Sequence, residues 1–130
     1  MIVMPVVYAS DVERSLGFYQ TLGLTVRAKG RSGKWAELAA PGGGLIALHA
    51  AHPGPPGAEP AEPDTAVPAG GVTLCLVSPA PLDDLVERMG EAGVEPVRGV
   101  SDEAFGRSVV FADPDGLLIQ INEHDEELYT

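Results

Sequence analysis

This chain spells one structural unit twice. Near its start, Met4-Pro5-Val6-Val7-Tyr8-Ala9-Ser10 reads as a short apolar strand entering a helix at Asp11-Val12-Glu13-Arg14-Ser15-Leu16. In the middle, Val72-Thr73-Leu74-Cys75-Leu76-Val77-Ser78 enters a second helix at Pro81-Leu82-Asp83-Asp84-Leu85-Val86. Each half then closes on a strand with related lettering, Gly44-Leu45-Ile46-Ala47-Leu48-His49 and Gly116-Leu117-Leu118-Ile119-Gln120-Ile121-Asn122. Two copies of a unit that cannot bury its own apolar face must pack together, and the space between them is a natural place for a ligand.

A length of 130 residues supports one core but not two independent ones, so both copies are expected in one domain over residues 1–130. The formal net charge of −11, from 19 acidic residues against 8 Lys and Arg, argues against nucleic acid and anionic membranes as partners. Such a field suits a cationic small molecule, or simply keeps the chain soluble. No apolar run reaches membrane-spanning length and no signal peptide is evident. Cys75 is the single cysteine, which excludes an internal disulfide and suits a reducing cytoplasm.

Local signals place the elements. Ser10 with Glu13 reads as a capping box, and Val12, Leu16, Tyr19 and Leu22 recur at helical spacing before the stop at Gly23. Strands follow over 24–29, 34–39 and 45–50, split by Gly-rich turns. Half of the twelve prolines fall within residues 51–71, which reads as a linker between the copies. The second copy repeats the order, with strands over 72–77, 95–100, 108–111 and 117–122, and a helix from about Pro81 to Gly93. Residues 123–130 form an acidic tail. The architecture is α+β, two βαβββ modules (1–50 and 72–122) forming a cupped mixed sheet.

Ser10-Asp11, Ser15, Phe18-Tyr19 and Leu22-Gly23-Leu24, together with Phe111-Ala112-Asp113-Pro114-Asp115-Gly116-Leu117-Leu118-Ile119, resemble the vicinal oxygen chelate superfamily. That group includes glyoxalase I, extradiol dioxygenases, fosfomycin-resistance enzymes and bleomycin-resistance proteins. Its enzymes bind a divalent metal with four strand residues, usually His and Glu in each module. The resemblance puts Met4, Ala47, Val72 and Gln120 at those places. Ala and Val offer no donor, and Met and Gln one weak donor each, so the usual metal cage is missing and no cofactor is expected. The resemblance then implies the drug-binding branch: a non-catalytic homodimer that sequesters a bulky aromatic, cationic compound in antibiotic resistance. The alternative is a glyoxalase-like or lyase-like metalloenzyme with a remodelled site built from Glu37, His49 and a third group.

Strand parity names the candidate ligand contacts. With the four metal-equivalent positions facing the cup, Tyr8, Trp35, Glu37, Ala47, His49, Val72, Leu74, Gln120 and Asn122 line it. Leu76 and Leu118 share that face, whereas Cys75 and Val77 face the helices as core. Trp35 can stack on a planar ligand while Glu37 attracts its charge, or else packs at an interface. His49 can hydrogen-bond a ligand, or simply touch solvent at a strand end. Phe105 as an aromatic wall and Arg107 as a gate at the cup mouth rank below Trp35 and Tyr8. No nucleophile elbow or phosphate loop is present, so no catalytic residue is named.

Overall fold

The computed structural model describes residues 2–51, 69, 73–104 and 106–124. The expected linker lies outside these except for Ala51 and Ala69, as do Val72, Phe105 and the tail beyond His124. The first module runs β1 (Val6–Ala9), α1 (Val12–Leu22), β2 (Thr25–Lys29), β3 (Trp35–Ala39) and β4 (Leu45–Ala50). The second runs β5 (Leu74–Val77), α2 (Leu82–Glu91), β6 (Arg98–Glu103), β7 (Gly106–Ala112) and β8 (Leu118–His124). Each module is a mixed four-stranded sheet, ordered β1-β4-β3-β2 and β5-β8-β7-β6, with the first and last strands of the module parallel.

Both helices lie over one side of their sheets because their apolar residues recur every three or four positions. Val12, Leu16, Tyr19 and Leu22 of α1 and Leu82, Leu85 and Met89 of α2 are buried. They join Leu38, Leu48, Phe111, Ile119 and Ile121 in one continuous apolar cluster spanning both modules. Removing a large aliphatic from such a cluster costs about 2–5 kcal/mol. The other side of each sheet is open.

Several element ends differ from expectation. Asp11, not Ser10, caps α1 and accepts from the Arg14 amide, while Glu13 pairs with Lys29 at 3.4 Å. β6 starts at Arg98 rather than Glu95, and β8 continues through Glu123 and His124, which the sequence assigned to the tail. Gly23 ends α1 in the left-handed region (φ 116°), where a side chain would strain the backbone.

The two modules repeat even their turn bonding. Leu24 N donates to Tyr19 O and Val94 N to Met89 O. Asp113 N donates to Leu117 O and Gly116 N to Asp113 O, matched by Ala40 N to Gly44 O and Gly43 N to Ala40 O. Tyr19 therefore corresponds to Met89, Asp113 to Ala40, Asp115 to Gly42, and Ser10 to Ala80.

One inter-module contact is latched by polar groups. Tyr19 Oη donates to buried Asp113 at 2.9 Å, and Ser10 donates through both its amide and its hydroxyl to Asp115. Asp113 also accepts from the Asp115 and Leu117 amides, each at 2.9 Å. Burial pushes the Tyr19 phenol well above its ordinary range, and the Asp113 charge adds to this. Nearby, Arg88 of α2 donates to the Thr21 and Leu22 carbonyls at 3.0 Å. It supplies α1 with the C-terminal cation that its own last turn lacks.

Candidate functional site

The open side of the first sheet gathers three aromatic rings on adjacent strands. Tyr8 on β1 and Trp35 on β3 both register against His49 on β4. Alternation along each strand turns all three away from the core formed by Val7, Ala9, Ala36, Leu38, Ile46 and Leu48. The Tyr8 and His49 rings lie 5.6 Å apart at 56°, and the Trp35 and His49 rings 5.8 Å apart at 77°. His49 Nδ1 lies 2.7 Å from the Ala50 carbonyl oxygen, a contact that restrains the imidazole within the row. Tyr8 remains 57% exposed, so the row presents aromatic surface outward.

Glu37 sits one rung further along, registered against Ala47, which in turn registers against Val6. Its half-buried carboxylate lies on the same side as the aromatic row. An aromatic surface beside a carboxylate can hold a flat cation by stacking and by charge together. Ala47, at 0% exposure, has no surface to give a ligand and belongs to the floor beneath these side chains.

The second sheet's open side has different chemistry. Gln120 Nε2 donates to Asn122 Oδ1 at 2.9 Å, and Asn122 Nδ2 donates to Cys75 Sγ at 3.0 Å. Ser108 donates to Glu103 at 3.1 Å and accepts from Arg98 at 3.2 Å. These polar groups are largely committed to one another. Desolvation raises the Cys75 thiol above its ordinary range despite the Asn122 bond, so the sulfur is poorly suited to act as a nucleophile.

Three expected contacts are corrected. Cys75 registers with Gln120, whereas Leu74 and Leu76 register with the core residues Ile119 and Ile121. Leu74 and Leu76 therefore pack against the core, and Cys75 and Val77 occupy the open side. The near-uniform apolarity of Val72–Val77 hides this register, although the two leucines are its bulkiest inward candidates. Arg107 does not gate the open side. It pairs with Glu123 at 2.6 Å and with Asp83 of α2 at 3.3 Å, on the helix-bearing side. Glu123 also accepts from the Leu82 amide at 3.0 Å, capping α2 where Pro81 cannot. That amide bond is the main reason its carboxyl lies below the usual range. Val72 and Phe105 lie outside the described residues.

The strand pairing also decides what a metal would meet. Met4 and Ala47 stand in the first module; in the second, alternation from Cys75 puts Thr73 on the face of Gln120, and Val72 lies outside the described residues. A thioether, a methyl group, a hydroxyl and an amide engaged with Asn122 do not make a divalent-ion cage. Among the described residues, no group of three or more His, Cys, Asp or Glu is placed to hold an ion. The remodelled set of Glu37, His49 and a third such ligand is therefore not assembled there.

Comparison with known proteins agrees with this architecture. Residues 2–121 match the family model of the Glyoxalase/Bleomycin resistance protein/Dioxygenase superfamily. No curated protein matches the chain. Among solved structures, it is similar to TnmS3, an antibiotic binding protein from Streptomyces sp. CB03234, at 26% identity and TM-score 0.67, covering 96% of each chain. A virulence protein from Salmonella typhimurium is 27% identical with TM-score 0.65, covering 96% of this chain and 97% of that one. The lactoylglutathione lyase from Agrobacterium tumefaciens shares the fold at 18% identity and TM-score 0.66, covering 95% of this chain and 92% of that one.

Proposed function

The chain belongs to the Glyoxalase/Bleomycin resistance protein/Dioxygenase superfamily, and on that premise we propose that it binds and sequesters a bulky, flat, cationic aromatic compound without transforming it. The observation that carries this reading is the Tyr8–His49–Trp35 row with Glu37 beside it. Rigid aromatic surface with few orienting polar groups is the usual lining of a small-molecule site. Two further points support it: the poor donor set at Met4, Ala47, Thr73 and Gln120, and the likeness to an antibiotic binding protein. The ligand contacts proposed are Tyr8, Trp35, Glu37 and His49, with Gln120 and Asn122 as a secondary polar set.

The reading includes association of two copies in the cytoplasm. Val6, Tyr8, Val77 and Leu118, on the open sides of the sheets, are 41%, 57%, 61% and 49% exposed, an apolar surface suited to a second copy. No helix among the described residues is long and apolar enough to cross a membrane.

A thermal-shift screen of flat aromatic cations on metal-analysed protein tests the proposal. Binding to the folded state raises the midpoint by mass action, about 2.7 kcal/mol at a hundredfold excess over Kd. The expected result is stabilisation of ion-free protein and recovery of the compound unchanged. Chemical conversion of the compound, dependent on a stoichiometric divalent ion, would establish the metalloenzyme instead.

A further inference from the structure

The latched contact between α1 and the β7–β8 turn has a counterpart between α2 and the β3–β4 turn. There Ala40 and Gly42 replace Asp113 and Asp115, and Met89 and Ala80 replace Tyr19 and Ser10. No polar pair among the described residues ties this counterpart shut. A cavity of about 730 Å³ occupies the junction instead.

Its walls come from both modules. The β3–β4 turn supplies Ala40, Pro41 and Gly42; β5 and the entry to α2 supply Val77, Ala80 and Leu85. Gly42, Gly43 and Gly44 put no side chain on the turn wall, and a Cβ added at any of them meets nothing within 4 Å. The volume falls within the roughly 300–1,000 Å³ of small-molecule sites. Charge enters at Asp84 and Arg88. The Arg88 guanidinium is occupied by the Thr21 and Leu22 carbonyls. The Asp84 carboxylate makes no hydrogen bond or ion pair among the described residues. It is the group left to meet a ligand's charge.

We propose that this unlatched junction is a second binding site, separate from the aromatic row, for an apolar small molecule carrying one basic amine. The apolar body fills the cavity and the ammonium group meets Asp84. The protein's acidic field raises the local concentration of such a cation.

The test uses Nile red as a fluorescent apolar probe and decylamine, with decanol for comparison, as displacing ligands on the full chain. The expected result is one saturable Nile red site per chain that decylamine empties. Ala80→Trp fills the cavity from an exposed wall position. Gly42→Leu does so where an added Cβ meets nothing within 4 Å. Each is expected to raise the probe's Kd about tenfold, or 1.4 kcal/mol. Asp84→Asn is expected to weaken decylamine about fivefold more than decanol. Trp35→Leu, which removes the other site's main ring, leaves Nile red affinity within about twofold. Thermal midpoints confirm that each variant folds. Wild-type affinity in both filling variants overturns the proposal. So does loss of the probe in Trp35→Leu, which would move it to the aromatic row, or loss on dilution to single chains, which would show a second copy shaping the site.

Discussion

Two junctions join the modules through the same backbone turns, yet they behave differently. Where the turn carries Asp113 and Asp115, it is tied to Tyr19 and Ser10; where it carries Ala40 and Gly42, it lines a cavity with Ala80 and Leu85. The two open sheet sides diverge as well: rings beside a carboxylate on the first; on the second, paired amides bonded to Cys75 and a serine held between Glu103 and Arg98. Duplication repeats the backbone frame, and a few side chains then give the two halves different surfaces and different junctions. On this account the second module holds the assembly together, while the first supplies the aromatic surface.

The largest effect that could break this comparison is on stability. Asp113→Ala removes a buried acceptor of three hydrogen bonds and is expected to cost about 3 kcal/mol in urea denaturation, against under about 1 kcal/mol for Ala40→Ser. Equal costs would mean that the latch contributes nothing. Tyr19→Phe should cost about 1–2 kcal/mol, and Met89→Leu under about 1.5 kcal/mol. Tyr19 also sets an alkaline limit. Its folded phenol, raised first by burial, keeps the proton that the unfolded chain releases above about pH 10. Wild-type stability therefore falls as pH rises past that point, and Tyr19→Phe should flatten the fall.

Ligand affinity sharpens the contrast between the open sides. Trp35→Leu is expected to weaken binding of a flat cation about tenfold or more, or 1.4 kcal/mol, by fluorescence-independent calorimetry. Ser108→Ala, at the corresponding position of the second sheet, should leave it unchanged. The smallest effect is acidic. Asp115 lies below the ordinary carboxylate range chiefly through the Ser10 hydroxyl bond, and Glu123 chiefly through the Leu82 amide. Their stabilisation is present above about pH 4 and is lost as pH falls through their folded values. Ser10→Ala should reduce that acid slope by less than about 1 kcal/mol, because the pair is exposed.

The fold was legible because spacing is local information. Leu16, Tyr19, Leu85 and Met89 announce buried helix faces, and alternation along Trp35–Ala39 and Leu45–Ala50 puts Trp35, Glu37 and His49 together. What failed depended on distant partners. Ser10 and Asp11 are equally good caps by type, and only Asp115, far along the chain, recruits Ser10 away. Leu74 was misplaced because five of the six residues in Val72–Val77 are apolar and signal no register. Arg107 was misplaced because its partners, Glu123 and Asp83, lie on other elements. The cavity was invisible for a related reason: it arises from small side chains on two segments that meet only in the fold.

Trp35, the single tryptophan, reports directly on the central claim that the first sheet's open side holds a flat cation without a metal. Its fluorescence can be titrated with ethidium before and after exhaustive chelation. The account predicts saturable quenching with the same Kd in both samples and ethidium recovered intact. Quenching that disappears on chelation and returns with a divalent ion would contradict it.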